Sequence, residues 1–163
     1  MIRSRCYAAR LVSVLTAGLL VVGCDDDATR QPAYGSAPTV ALNQPVDVGT
    51  FEFTVTSVEL GQPKVGSRTA QGTFVVVDIA VKNIGDGPRT VYCQNQILKD
   101  LAGRRYENGE TVGAGDDMIR IEPGNQVRFQ CAFDVPVGTL AGAVEVHDTA
   151  YSPGATVRVL SRG

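Results

Sequence analysis

Four cysteines, a single histidine and one run of acids are the residues of this 163-residue chain whose chemistry could define a function. A thiol can serve as nucleophile, metal ligand or covalent staple, so Cys6, Cys24, Cys93 and Cys131 each need an assignment. A copper site of the kind carried by small exported β-sandwiches takes two histidines, a cysteine and a weak axial methionine. His147 stands alone, so the ligand count fails. A hydrolytic triad would have to combine His147 with Asp148 and Ser152, but neighbours along a strand point to opposite faces. His147, close to Val144 and Val146, is expected as an edge or surface residue of the last hairpin. The polar run from Glu107 to Asp117, ENGETVGAGDD, holds the acids Glu110, Asp116 and Asp117, which could bind a hard cation weakly. Such runs are more often solvated loops. No glycine-rich phosphate loop, His-Glu-x-x-His helix or calcium-loop spacing occurs. The sequence therefore nominates no catalytic residue, metal ligand or cofactor.

Composition narrows the partners. Lys+Arg 15 against Asp+Glu 17 leaves no basic excess to hold a phosphate backbone, so nucleic acid is not an expected ligand. With 44% hydrophobic and 20% charged residues the chain can build one globular core. Its first ten residues carry Arg3, Arg5 and Arg10 without an acid and run into the apolar stretch Leu11 to Val22. That is the layout of a signal peptide. Twelve apolar residues fall well short of the roughly 20 that span a bilayer, so a permanent membrane helix is the weaker reading. The box that follows, Val21-Val22-Gly23-Cys24, resembles the lipobox of bacterial lipoproteins. The resemblance implies cleavage before Cys24 and a diacylglyceryl thioether on its sulfur, with more than one acyl chain giving stable anchorage. Losing residues 1–23 removes three arginines and shifts the net charge from −2 to −5. Residues 24–38 then form a tether: Asp25-Asp26-Asp27 and the polar, proline-containing stretch behind them cannot bury enough surface to order themselves. Cys6 leaves with the signal peptide and Cys24 takes the lipid, which leaves Cys93 and Cys131 as one pair in an oxidising compartment. A structural disulfide is expected there, contributing roughly 3 to 4 kcal/mol.

From Thr39 onward the sequence reads as β. Valine far outnumbers leucine, and turn signals recur at short spacing. In Phe51 to Val58, Phe51, Phe53 and Val55 share a face opposite Glu52, Thr54 and Thr56, as in a half-buried strand. Thr73 to Lys82 is apolar on both faces and is expected at the centre of a sheet. Val127 to Asp134 alternates again and turns Cys131 to the core. Shorter candidates lie at 89–93, 96–100, 104–107, 118–121, 143–147 and 156–160, with turns at Gly61-Gln62-Pro63, Asn83 to Pro88, Leu101 to Gly103, Pro123 to Asn125 and Ser152 to Gly154. Only residues 94–101 invite consideration as a helix.

The stretches GTFVVVDIAVKNIGDGPRTVYCQNQILKDLAGRRYE (72–107) and IEPGNQVRFQCAFDVP (121–136) resemble a family of exported bacterial immunoglobulin-like domains of unknown function, to which a mycobacterial immunoprotective extracellular antigen is related. The resemblance rests on the strand ending Val81-Lys82-Asn83, the Asp100 to Gly103 turn with Tyr106 behind it, and the Pro123-Gly124 turn into the strand that closes at Asp134-Val135-Pro136. It implies an all-β, immunoglobulin-like β-sandwich of about seven to nine strands over residues 39–163, and it supplies no catalytic residues. The core tryptophan of antibody domains is absent. The function expected is that of a cell-envelope lipoprotein, held to the outer face of the membrane by its lipid, whose domain binds an envelope partner without catalysis. Binding would fall to loops, of which 61–72, 84–88 and 108–117 stand out. The competing expectation is an envelope hydrolase or metal-handling protein that assembles Glu110, Asp116 and Asp117 with His147.

Overall fold

In a computed structural model of the chain, residues 37–113 and 118–159 are described. They form twelve strands in chain order: β1 (Thr39–Ala41), β2 (Val46–Val48), β3 (Phe51–Val65), β4 (Arg68–Asn83), β5 (Arg89–Tyr92), β6 (Ile97–Asp100), β7 (Arg105–Tyr106), β8 (Glu110–Thr111), β9 (Met118–Ile121), β10 (Gln126–Val135), β11 (Ala141–Val146) and β12 (Ala155–Arg158). One 3₁₀ turn, Cys93–Asn95, is the helical part of the described residues and falls at the start of the segment that alone invited a helix. The remainder of that segment is β6.

Two five-stranded sheets, ordered β1-β12-β11-β6-β7 and β2-β3-β4-β10-β8, face each other as a β-sandwich, with β5 and β9 paired as a separate ribbon. Pairing is antiparallel except between β1 and β12. Alternation explains the core. Phe51, Phe53 and Val55 of β3, Val75, Val77, Ile79 and Val81 of β4, and Phe133 of β10 meet Leu98, Val144, Val146 and Val157 of the opposite sheet in one cluster. The Phe51 and Phe53 rings pack edge to face, 5.8 Å apart. Val91 and Ile121 bring the ribbon into the same core.

The strand apolar on both faces lies between β3 and β10, as its sequence requires. Phe74 and Val76 on its outer side form a second cluster with Val65 and Ala132. The outer face of the other sheet is polar instead: Glu145 bridges Lys99 and Arg105, the latter at 2.7 Å.

The expected turn at Gly61-Gln62-Pro63 is not a turn. β3 runs through it, and the chain reverses only after Val65. Two of the three register shifts along the β3–β4 pair, between Glu59 and Gln62 and between Gln62 and Lys64, absorb the glycine and proline as bulges. Proline is tolerated because β2 covers only the first residues of β3, so beyond Phe53 that side of β3 is an edge. The segment 61–72 is thus the end of a hairpin arm and not an open loop. The expected strand number is also low, because β1, β2 and β8 carry too few residues to show a period.

Both sides of the sandwich are closed by a chain that switches sheets, from β1 to β2 and from β7 to β8. Asn43 and Asn108 sit at these two corners, and among the described residues they are the non-glycine positions with positive φ, 65° and 59°. Asparagine tolerates the left-handed region because its short side chain can bond locally. Next to Asn108, a Cβ on Gly109 would come 2.7 Å from the Phe133 ring, so the corner can lie against the core only with glycine there.

Polar punctuation holds the turns. Asn83, 0% exposed, donates through Nδ2 to the carbonyls of Gly87 (2.8 Å) and Ile121 (2.9 Å) and accepts from the Gly85 N–H (2.9 Å). The 84–88 loop is therefore pinned rather than open. Asp100 accepts from the N–H groups of Ala102 and Arg104, from the Arg104 guanidinium at 2.7 Å and from the Tyr106 hydroxyl at 3.2 Å. Burial of the carboxyl opposes ionisation, but the Arg104 backbone and guanidinium bonds and the Tyr106 hydroxyl outweigh it, and the Asp100 pKa lies below the ordinary carboxylate value.

Cys93 and Cys131 form a disulfide of S–S 2.04 Å across a separation of 38 residues, joining the 3₁₀ turn to β10. Replacing both by alanine should lower unfolding free energy by about 3 to 4 kcal/mol, read from urea unfolding with a steeper slope, because the uncrosslinked denatured chain is more expanded. Because the Asp100 pKa is lowered in the fold, its contribution is complete at neutral pH and is lost as pH falls through the folded value. Asp100→Asn should therefore lower the midpoint at pH 7 and leave a smaller gap from the parent chain in strong acid.

Candidate functional site

The described acid of the nominated trio, Glu110, lies on β8 at the rim of a groove on the outer face of the second sheet. Phe74 of β4 and Ala132 of β10 form its floor, because β4 and β10 run side by side with Val76 opposite Ala132. The start of β4, with Arg68, Thr69 and Gln71, makes one wall, and the corner carrying Glu107 and Asn108 makes the other. The groove has a volume of about 410 Å³. A shallower cleft of about 450 Å³ continues from it past Asp134 to Pro136.

The electrostatics are acidic. Glu107, Glu110 and Asp134 face one cation, Arg68. The Arg68 guanidinium pairs with the Glu110 carboxylate and donates to the Thr111 carbonyl at 3.1 Å. Both side chains of the pair are well exposed, at 37% and 54%, so the pair contributes about 0–1 kcal/mol and a ligand can displace it at little cost. Asp134 is more firmly fixed, accepting from the Gln71 and Gly72 N–H groups at 2.7 and 3.1 Å. Rigid acceptors above an apolar floor can hold a ligand that has donors or positive charge and an apolar body. Of the other two nominated acids, Asp116 and Asp117 lie outside the described residues, as does Cys24.

His147 is not where its sequence placed it. It is 8% exposed, just past the end of β11, rather than at the surface. The Gln96 amide accounts for this: its Oε1 accepts from the His147 N–H at 2.9 Å and its Nε2 donates to the His147 carbonyl at 3.0 Å. Room for the imidazole comes from Gly154, where a Cβ would come 2.5 Å from Cε1. Nδ1 lies 3.0 Å from the Ser152 carbonyl oxygen, an acceptor, so that nitrogen carries the proton. Ser152 does approach the ring, with Oγ at 3.5 Å, because it sits in a loop rather than on a strand. Its hydroxyl donates to the Thr149 carbonyl at 3.1 Å, and the ring nitrogen beside it is already committed. The arrangement is a loop brace. Glu110 belongs to the second sheet and His147 follows a strand of the first, and the fold does not bring them together. Among the described residues no group of three His, Cys, Asp or Glu is placed to hold a metal ion.

Arg68 falls within the nominated segment 61–72, whereas Phe74 and Asp134 were not legible as site residues. Their meeting depends on which strands pair, and alternation reports only which face a residue takes.

Known proteins share this architecture. The secreted protein MPT63 from Mycobacterium tuberculosis has a similar fold, with TM-score 0.60, 16% identity, and coverage of 76% of this chain and 98% of that one. The YjhA protein from Bacillus subtilis is similar at TM-score 0.56 and 12% identity over 74% of this chain and 99% of its own. An uncharacterized beta-sandwich protein from Clostridium difficile 630 is similar at TM-score 0.51 and 15% identity, covering 76% and 95%. These likenesses show the fold. No curated protein matches the sequence. The sequence profile of one family matches residues 40–156, from β1 into β12, and so takes in the Asn83 pin, the Asp100–Tyr106 turn and both cysteines of the disulfide. The chain belongs to the family described as Domain of unknown function (DUF4352).

Proposed function

We propose that this chain is exported, anchored by lipid on Cys24, and presents its β-sandwich as a non-catalytic binding module of the bacterial cell envelope. Export and anchorage draw support from the arginine-rich start, the apolar run Leu11 to Val22 and the Val-Val-Gly-Cys box. A disulfide fits a compartment outside the cytosol. One protein of similar fold is described as secreted.

The observation that carries the binding reading is the groove beside Glu110. Its floor is apolar, one of its carboxylates, Asp134, is fixed by two backbone hydrogen bonds, and its rim pair is weak enough to be exchanged for a ligand contact. Strand pairing holds Cys131 and Ala132 of β10 opposite Thr111 and Glu110 of β8, so the groove is preformed and binding loses little ordering entropy. A protein segment bearing a lysine or arginine suits such a surface, its aliphatic stem on Phe74 and its charge near Glu110.

Cys24→Ser should abolish incorporation of labelled fatty acid and leave residues 1–23 attached, read by mass spectrometry of the recovered chain. A photo-crosslinking residue at Thr69, in the groove wall, should capture a defined envelope neighbour on intact cells, whereas the same probe at the exposed Arg158 should not. Glu110→Lys should cut that capture at least tenfold, because it places a second cation beside Arg68. Equal capture at both positions would remove the groove from the proposal.

A further inference from the structure

The groove beside Glu110 is partly filled by the chain itself. Arg68 is the first residue of β4, at the tip of the β3–β4 arm, where the chain has just reversed through Gly66 with φ 58°. β10 pairs with β4 only from Thr73 onward, so the arm runs past the end of that pairing. It lies back over the outer face, with Val65 packed in one cluster with Phe74, Val76 and Ala132 and only 7% exposed. From this arm Arg68 reaches β8, and its two terminal nitrogens take separate acceptors. Nη1 pairs with the Glu110 carboxylate, and Nη2 donates to the Thr111 carbonyl at 3.1 Å. A planar guanidinium serves two such acceptors at once, whereas a lysine ammonium is one compact charge. Negative charge is in surplus, since Glu107, Glu110 and Asp134 line the groove and Arg68 is the one cation among the described residues of its lining.

We propose that this seat is specific for a guanidinium, that Arg68 fills it as an internal substitute, and that an arginine of a protein partner enters by taking its place. The assignment rests on the groove being a binding site and adds which side chain it reads. The incoming arginine makes the same two polar bonds and lays its aliphatic stem on Phe74, while the remaining carboxylates favour the added positive charge. The exchange leaves the arm in place, because Val65 holds it by apolar contact in which Arg68 has no part. Arg68 and Glu110 are both well exposed, so their pair competes weakly and lowers the apparent affinity of a partner by no more than about fivefold. A lysine cannot replace both bonds at once, so self-occupancy sharpens the selection for arginine.

The probe is a capped pentapeptide with one central arginine, titrated into the full chain and followed by the amide resonances of Gln71, Glu110 and Ala132, with Gly154 in the loop between β11 and β12 as reference. The lysine counterpart should bind at least about threefold more weakly, and the citrulline counterpart, which keeps the shape without the charge, should leave the spectrum unchanged. Arg68→Ala should tighten the arginine peptide about two- to fivefold and the lysine peptide less. Arg68→Gln serves the same purpose if loss of the whole stem disturbs the arm. Equal affinity for the arginine and lysine peptides would overturn the guanidinium seat. An equal gain for both in the Arg68 variants would overturn the exchange, since only a repelling charge would then have been removed. A response to the arginine peptide without any neighbour captured through Thr69 would support this assignment and sink the cellular role. Capture through Thr69 without a response to the peptide would do the reverse.

Discussion

A strand that is apolar on both sides can be stable only if something covers each of them, and β4 imposes that condition on the molecule. Its inner valines and isoleucine are covered by the opposite sheet, while Phe74 and Val76 on the outer side need Val65 and Ala132. The first requirement makes a sandwich. The second is met by Val65 of the bulged β3–β4 arm and Ala132 of β10, and the groove opens over Phe74 beside them. Core and groove are thus two faces of one strand, and a change that loosens β4 is felt in both.

Most of the strongly hydrogen-bonding side chains in the structure are occupied in holding backbone. Asn83 closes one loop and reaches across to Ile121, Gln96 grips both backbone groups of His147, and Asp100 gathers the turn that Tyr106 completes. A buried polar group left without partners costs about 1–3 kcal/mol, so these positions tolerate little substitution for reasons of folding alone. Asn83 and the Asp100 to Tyr106 turn, on which the resemblance read from the sequence rests, are of this kind. They mark where the chain must turn, and they carry no statement about a ligand.

The β class and the central strand were legible because each depends on residue type along one strand, and the disulfide because two of the four cysteines were otherwise assigned. Phe51, Phe53 and Val55 alternate whatever they pair with, and Cys131 takes their phase on β10. The edge strands were not legible: β2 is ordered by pairing with Phe51–Phe53, and its own three residues hold no period. Pro63 read as a turn because its sequence neighbours suggest one, whereas its tolerance within β3 follows from the absence of a strand on that side. His147 read as exposed because the Gln96 clamp and the space above Gly154 come from remote parts of the chain. Glu110 could be nominated from its loop, but its meeting with Arg68 required knowing that β8 joins β10.

The sheet-switching corners at Asn43 and Asn108 leave lateral strands of only two or three residues. The open edge of β3 beyond Phe53 is longer, but its bulges and Pro63 interrupt the row of amides and carbonyls that another polypeptide would need to extend the sheet. Neighbouring copies packed densely on a surface would therefore meet a broken margin along β3 rather than a regular one.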